Sequence, residues 1–160
     1  MQEIANIRID ERLIHGQVAI SWTHTVGANR IVIVDDEIVK DELQKPLLKM
    51  ACPAGVKLSI LSVPTAINNL VSQKYDNDRI FLVVKRPQVL VSLWEGGFRF
   101  NAVNVGNMSG KENAVQIKKA VCVTPEDIAA FRTLHANGVR LTAQMVPNDE
   151  ELKLMELIKG

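Results

Sequence analysis

Short runs of valine, isoleucine and leucine recur along the chain, separated by segments whose apolar residues return every three or four positions. The runs predict strands over 4–9, 30–35, 56–61, 79–84, 102–106, 119–123 and 140–146. Several are almost unbroken aliphatic, the composition of strands covered on both faces. Between them the spacing predicts helices over 16–26, 41–51, 64–74, 87–95, 125–136 and 149–158, with Gly and Pro falling at the joints. Such alternation is the pattern of an α/β fold built on a mostly parallel sheet.

The helix ends sharpen this reading unevenly. Thr124 is placed to cap the fifth helix, Pro125 suits its first turn, and Glu126 and Asp127 complement the positive end of its dipole. Asn148 with Glu151 three residues on resembles a capping box for the last helix. Pro46 removes a backbone donor from the second, so that helix is kinked there or starts later than 41. Nothing in the chain reads as a repeat or a dividing linker, and 160 residues suffice for one domain over 1–160.

Composition narrows the function. With 47% hydrophobic and 23% charged residues and a formal net charge of +1, the chain is neither disordered in type nor basic enough for a general nucleic-acid surface. Charge-based chemistry must therefore be local. Cys52 and Cys122 are far apart in apolar stretches and are expected as buried thiols. The first ten residues do not read as a secretory signal, and no segment reaches the ~18 apolar residues of a membrane span. A soluble, cytoplasmic protein is expected.

The stretch RIDERLIHGQVAISW, residues 8–22, carries the most chemistry. In open α/β sheets ligands bind outside the carboxyl ends of the strands, and this stretch follows the first strand. Asn6, Arg8 and Asp10 alternate with Ile7 and Ile9, so the polar residues share one side of the strand end. His15 then falls at the start of a helix whose free amides, on Gly16, Gln17 and Val18, form an anion site with the positive dipole end. Arg12 adds a planar fork of donors matched to phosphate. Positive surroundings disfavour imidazolium, and neutral imidazole is the form that attacks phosphorus. Asp10 is placed to orient Arg12 or to fix the imidazole tautomer. His24 and His135 lie in other turns, and without paired histidines or C-x-x-C no metal is expected.

Two further stretches compete for attention. NVGNMSGK follows a strand, and Gly106, Asn107, Ser109, Gly110 and Lys111 offer donors near a phosphate, although the spacing is not that of a Walker loop. Asp35 and Asp36 close the second strand and read as site rim or as turn and helix-start chemistry. Taken alone, these features fit a phosphohistidine carrier, a histidine phosphatase or mutase, or a phosphate- or nucleotide-binding module. In the phosphatases, however, an arginine directly precedes the histidine, where this chain has Ile14.

RIDERLIHGQVAISW resembles the signature of the enzyme IIB component of the bacterial sugar phosphotransferase system, in its mannose (mannose/fructose/sorbose) family. The similarity continues through GANRIVIVDDEIVKDELQKPLLKMACPAGVKLSILSV, NVGNMSGK and GVRLTAQMVPND. It implies a phosphotransferase with His15 as the phosphorylated residue, modified on Nδ1, and Arg12 as the phosphate-holding arginine, with Asp10 and Arg8 in supporting roles. It also implies an open, mostly parallel seven-stranded sheet with helices on both faces. The implied partners are phosphorylated enzyme IIA as donor, which uses Nε2, the membrane components IIC and IID, and through them a hexose or amino sugar. Phosphoryl transfer of this kind rests on positioning and electrostatics, so no cofactor is expected. The protein is expected at the inner face of the membrane through that complex, with the donor as a separate protein.

Overall fold

The computed structural model describes residues 1–158. Its central sheet has seven strands in the order β3-β2-β4-β1-β5-β8-β9: β1 (Glu3–Asp10), β2 (Arg30–Val34), β3 (Lys57–Leu61), β4 (Arg79–Val84), β5 (Ala102–Asn107), β8 (Arg140–Ala143) and β9 (Leu152–Lys153). All neighbours are parallel except β9, which runs antiparallel to β8. The helices are α1 (Gly16–Val26), α2 (Gln44–Ala51), α3 (Val63–Val71), α4 (Pro87–Glu95), α5 (Pro125–Ala136) and α6 (Leu154–Leu157).

Alternation along the strands builds two cores. Ile31, Ile33, Phe81 and Val83 face one way and pack with Ala19 and Trp22 of α1 and Leu48 of α2. Ile7, Ile9, Val32, Val34, Ile80, Leu82 and Val84 face the other way, against Ala66, Leu70, Leu90, Leu93, Phe131 and Leu134 of α3, α4 and α5. This double coverage is why the strands read as continuous aliphatic runs. On the α1 face the hydrophobic rule breaks at one row. Arg8 of β1, Asn104 of β5 and Thr142 of β8 are register partners, and all three are buried polar residues.

Three expectations change. The strand predicted over 119–123 forms as β7 (Val121–Val123), but it pairs antiparallel with β6 (Val115–Lys118) in a separate ribbon, and β9 supplies the seventh strand of the main sheet. Backbone bonds from Met108 N to Ala120 O (2.9 Å) and from Cys122 N to Met108 O (2.9 Å) pin that ribbon beside the end of β5. The helix predicted over 149–158 is reduced to α6, because Leu152 and Lys153 pair with β8 and Lys153, not Asn148, stands at the helix start. Cys52 and Cys122 are half-buried rather than buried, and both are free thiols. Elsewhere the signals hold. α2 begins at Gln44, which leaves Pro46 in the first turn, where its missing donor costs no helical bond. Thr124 caps α5 in a capping box with Asp127.

The connections define a crevice. β1 leads into α1 on one face, whereas its neighbour β4 leads into α4 on the other. Adjacent strands whose helices diverge in this way leave a gap at their carboxyl ends, the usual ligand position in open α/β sheets.

Candidate active site

The loop after β1 is fixed by its own sequence. Leu13 N bonds Asp10 O at 2.9 Å, closing a tight turn, and Leu13 takes a left-handed φ of 62°. A bulky residue resists that conformation. Here burial of Leu13 and Ile14 in the α1-side core holds it. Two anchored side chains leave the next residue outside: His15 is exposed, caps α1 with extended backbone, and makes no side-chain cap bond. The first helical bond runs from Ala19 N to His15 O, so Gly16, Gln17 and Val18 begin the helix with their amides at its positive end.

At the root of the histidine loop stands a shared carboxylate, Asp10 at the end of β1. Asp10 Oδ1 accepts from the Arg12 backbone amide and from Arg12 Nε, both at 2.9 Å, while Asp10 Oδ2 accepts from Arg12 Nη2 at 2.9 Å. The same Oδ2 accepts from Arg8 Nε at 3.3 Å and Nη2 at 3.2 Å. Asp10 thus grips the Arg12 side chain with both carboxylate oxygens. The Arg12 side chain is 29% exposed, with Nη1 outside the carboxylate fork. The hydrogen bond to Asp10 pushes the Arg12 guanidinium further toward its charged form.

Arg8 is only 2% exposed and donates in five directions. Besides Asp10 it reaches Asn104 Oδ1 (2.6 Å), Gln144 O (3.1 Å) and Met145 O (2.8 Å), and its guanidinium lies 5.2 Å from the Trp22 ring centre. Burial pulls its pKa down and Asp10 opposes that shift. All five N-H groups of a guanidinium are thus used, which is what allows a buried arginine. Met145 O also accepts from Trp22 Nε1 at 2.8 Å, so the 144–146 segment is tied to α1 and β1 together.

Other predicted residues fall into different roles. Gly106 is buried with the Arg8 guanidinium against its α-carbon; a Cβ there would stand 2.0 Å from Arg8 Nη2. It makes room for Arg8 and does not face a surface anion. Asn107 O accepts from Glu11 N at 3.0 Å, and Ser109 N donates to Glu11 Oε2 at 3.4 Å, so this loop is turned toward the His15 loop. Lys111 Nζ lies 3.6 Å from Glu11 Oε1. Asp35 caps the following turn through the amides of Glu37 and Ile38, and Asp36 accepts from Val63 N, both in turn and helix-start roles. No group of metal-binding side chains occurs among the described residues.

The sequence reading passed over Glu11 and Arg86 and gave Asp127 only a helix-start role. Arg86, at the end of β4, pairs with Glu11 Oε2 (2.7 Å) and Asp127 Oδ2 (2.8 Å) and donates to Ser109 O (3.0 Å). It links the chain just past β4 to the loop after β1. Its position beside a helix-starting proline, KRP at a strand end, was the available signal.

The model of the PTS sorbose subfamily IIB component matches residues 4–160. The chain belongs to that family. This IIB component is 41% identical over 151 residues to the sorbose-specific EIIB component of Lacticaseibacillus casei, covering 94% of this chain and 92% of that one. It is 40% identical to the mannose-specific EIIAB component of Escherichia coli K12, covering 94% of this chain but 47% of that longer protein. Among solved structures, the IIBSor domain of the Klebsiella pneumoniae sorbose permease superposes with a TM-score of 0.93 at 32% identity, covering 97% and 95% of the two chains. A IIB component is a phosphotransferase, a phosphoryl carrier of sugar uptake that accepts its phosphate from enzyme IIA. Membership in the family sets aside the histidine phosphatase reading.

Proposed function

We propose that His15 is the phospho-accepting nucleophile of this IIB component and that residues 1–160 act as one carrier domain. The observation that carries the reading is an exposed histidine at the start of α1, three residues from an arginine held two-pronged by a buried aspartate. A ring nitrogen of His15 attacks the phosphorus of the enzyme IIA phosphohistidine in line. The N-P bond to the donor breaks with its electron pair left on the donor nitrogen, and the phosphoryl group moves with its three oxygens. Arg12 and the amides of Gly16, Gln17 and Val18 hold the added negative charge, about two units. Asp10 and Arg8 keep Arg12 in place. In the second step a sugar hydroxyl, presented by membrane components IIC and IID, attacks the same phosphorus: the His15 N-P bond breaks with its electron pair returned to the imidazole, the O-P bond forms, and the hydroxyl proton leaves to solvent.

No helix among the described residues is long and apolar enough to cross a membrane. We place the carrier at the cytoplasmic face through its partners. Relatives named for sorbose, mannose, fructose and N-acetylgalactosamine lie between 33% and 41% identity, which supports a hexose or amino sugar as the acceptor class. The test is labelled phosphate from a phosphorylated mannose-family enzyme IIA. Acid-labile, alkali-stable label is expected on the wild type and absent from His15→Ala; a His15→Ala chain that labels equally would overturn the assignment.

A further inference from the structure

A second group of charges stands beside the Arg12 cradle, in the crevice between β1 and β4. Glu11 lies with one oxygen 2.7 Å from Arg86 Nη2 and the other 3.6 Å from Lys111 Nζ, and its side chain is 19% exposed. Arg86 is 13% exposed and Asp127 2%, and Arg86 Nε is buried with no acceptor among the described residues. The four charges of this group, Glu11, Asp127, Arg86 and Lys111, cancel. The neighbouring group of Arg8, Asp10 and Arg12 keeps one net positive charge.

Glu11 sits in the same loop as His15, immediately after Asp10 and before Arg12. Its contacts with the Ser109 amide and with Arg86 need only an acceptor oxygen, which glutamine would also supply. What glutamine would not supply is the negative charge. Resting on the carrier reading above, we propose that Glu11 sets the phosphoryl-transfer equilibrium of this protein, by cancelling the cationic charge that Arg86 and Lys111 bring to the loop carrying His15, so that the phosphohistidine is released as readily as it is formed. A relay in mid-chain must give as well as receive. With Glu11 neutral, Arg86 and Lys111 would add to the pull on a group carrying about two negative charges, and the phosphoryl group would stay. No bond changes beyond the transfer already described: the donor N-P bond breaks, the His15 N-P bond forms, and Glu11 acts on the balance through charge alone.

The experiment is the equilibrium distribution of labelled phosphate between a mannose-family enzyme IIA and this chain, for wild type, Glu11→Gln, Lys111→Gln and the double variant, with thermal melts alongside. One unit of charge near a doubly charged group, partly screened, corresponds to a shift of about three- to thirtyfold. Glu11→Gln should move the label toward this chain by that factor, Lys111→Gln should move it toward the donor, and the double variant, with its charge restored, should return close to wild type. High salt should shrink the shifts. An unchanged distribution in Glu11→Gln, or a double variant that fails to return, overturns the proposal, because a purely structural role would alter the melt and not the balance. Should Glu11→Gln melt early, the half-exposed Lys111→Gln decides: no movement of label toward the donor overturns it. A wild type that takes no label at all overturns the carrier reading itself, a separate result.

Discussion

Gly106→Ala adds a single methyl group and should be among the most damaging small changes in this protein. The new Cβ would lie 2.0 Å from Arg8 Nη2, 2.1 Å from Cζ and 2.5 Å from Nη1, so the guanidinium must move by more than an ångström. It has nowhere to go. Asp10, Asn104, Gln144 O and Met145 O hold it from all sides, with Trp22 across its face. Displacing it breaks several of five hydrogen bonds and strands a buried charge, which costs about 3–5 kcal/mol. Asp10 then loses one of its two arginines, and with it the rigidity that aims Arg12. Urea unfolding should show the stability loss, and phosphoryl transfer from enzyme IIA should fall with the variant still folded. A further comparison isolates the cause: in an Arg8→Met background, where the side chain ends in a flexible apolar tip, Gly106→Ala should cost under about 1 kcal/mol. Equal costs in both backgrounds, or a Gly106→Ala chain within about 0.5 kcal/mol of wild type, would refute the packing account.

Four other outcomes follow from the same geometry. Arg12→Lys keeps the charge but not the fork onto Asp10, so transfer should drop at least about tenfold while stability changes by less than about 1 kcal/mol, read by rapid-quench labelling and a melt. Trp22→Phe removes the bond to Met145 O and should cost about 1 kcal/mol, with faster amide exchange in 144–146 as its local mark. Thr124→Ala breaks the α5 capping box and should cost about 0.5–2 kcal/mol in urea unfolding. Asp78 is held below the usual carboxylate range by Arg30 and then Lys57. Its contribution is present above the unfolded value of about 3.9 and is lost as pH falls below it, so the stability gap between wild type and Asp78→Asn should be flat near neutrality and close under acid conditions.

The parallel strands were legible because both faces of each are covered, which writes burial into consecutive residues. Helices α1, α4 and α5 fall at their predicted bounds because glycine, proline and threonine punctuate them locally. What failed was strand pairing. Leu152 and Lys153 became a strand through pairing with Thr142 and Ala143, which no local pattern announces. Val121–Val123 left the main sheet because the strand just before it, Val115–Lys118, takes it as a hairpin partner. In the site, His15, Arg12 and Asp10 were visible as a short motif, whereas Glu11 and Arg86 meet only when the ends of β1 and β4 are brought together. Gly106 was read as a phosphate donor because turn glycines often are, but its purpose depends on a residue far away in sequence, Arg8.

The exposure of His15 has a kinetic consequence. His15 is exposed, so with the phosphoryl group carried there as proposed, donor and acceptor must press on the same patch of surface, and the carrier serves them in alternation and never both at once. Each visit must end before the next begins. At a turnover of about 10² per second and association at about 10⁶–10⁷ M⁻¹s⁻¹, dissociation at least that fast limits either complex to a Kd of roughly 10–100 μM or weaker. A variant that gripped enzyme IIA at nanomolar strength would label perfectly and transport slowly, because the queue for its one phosphoryl site would never clear.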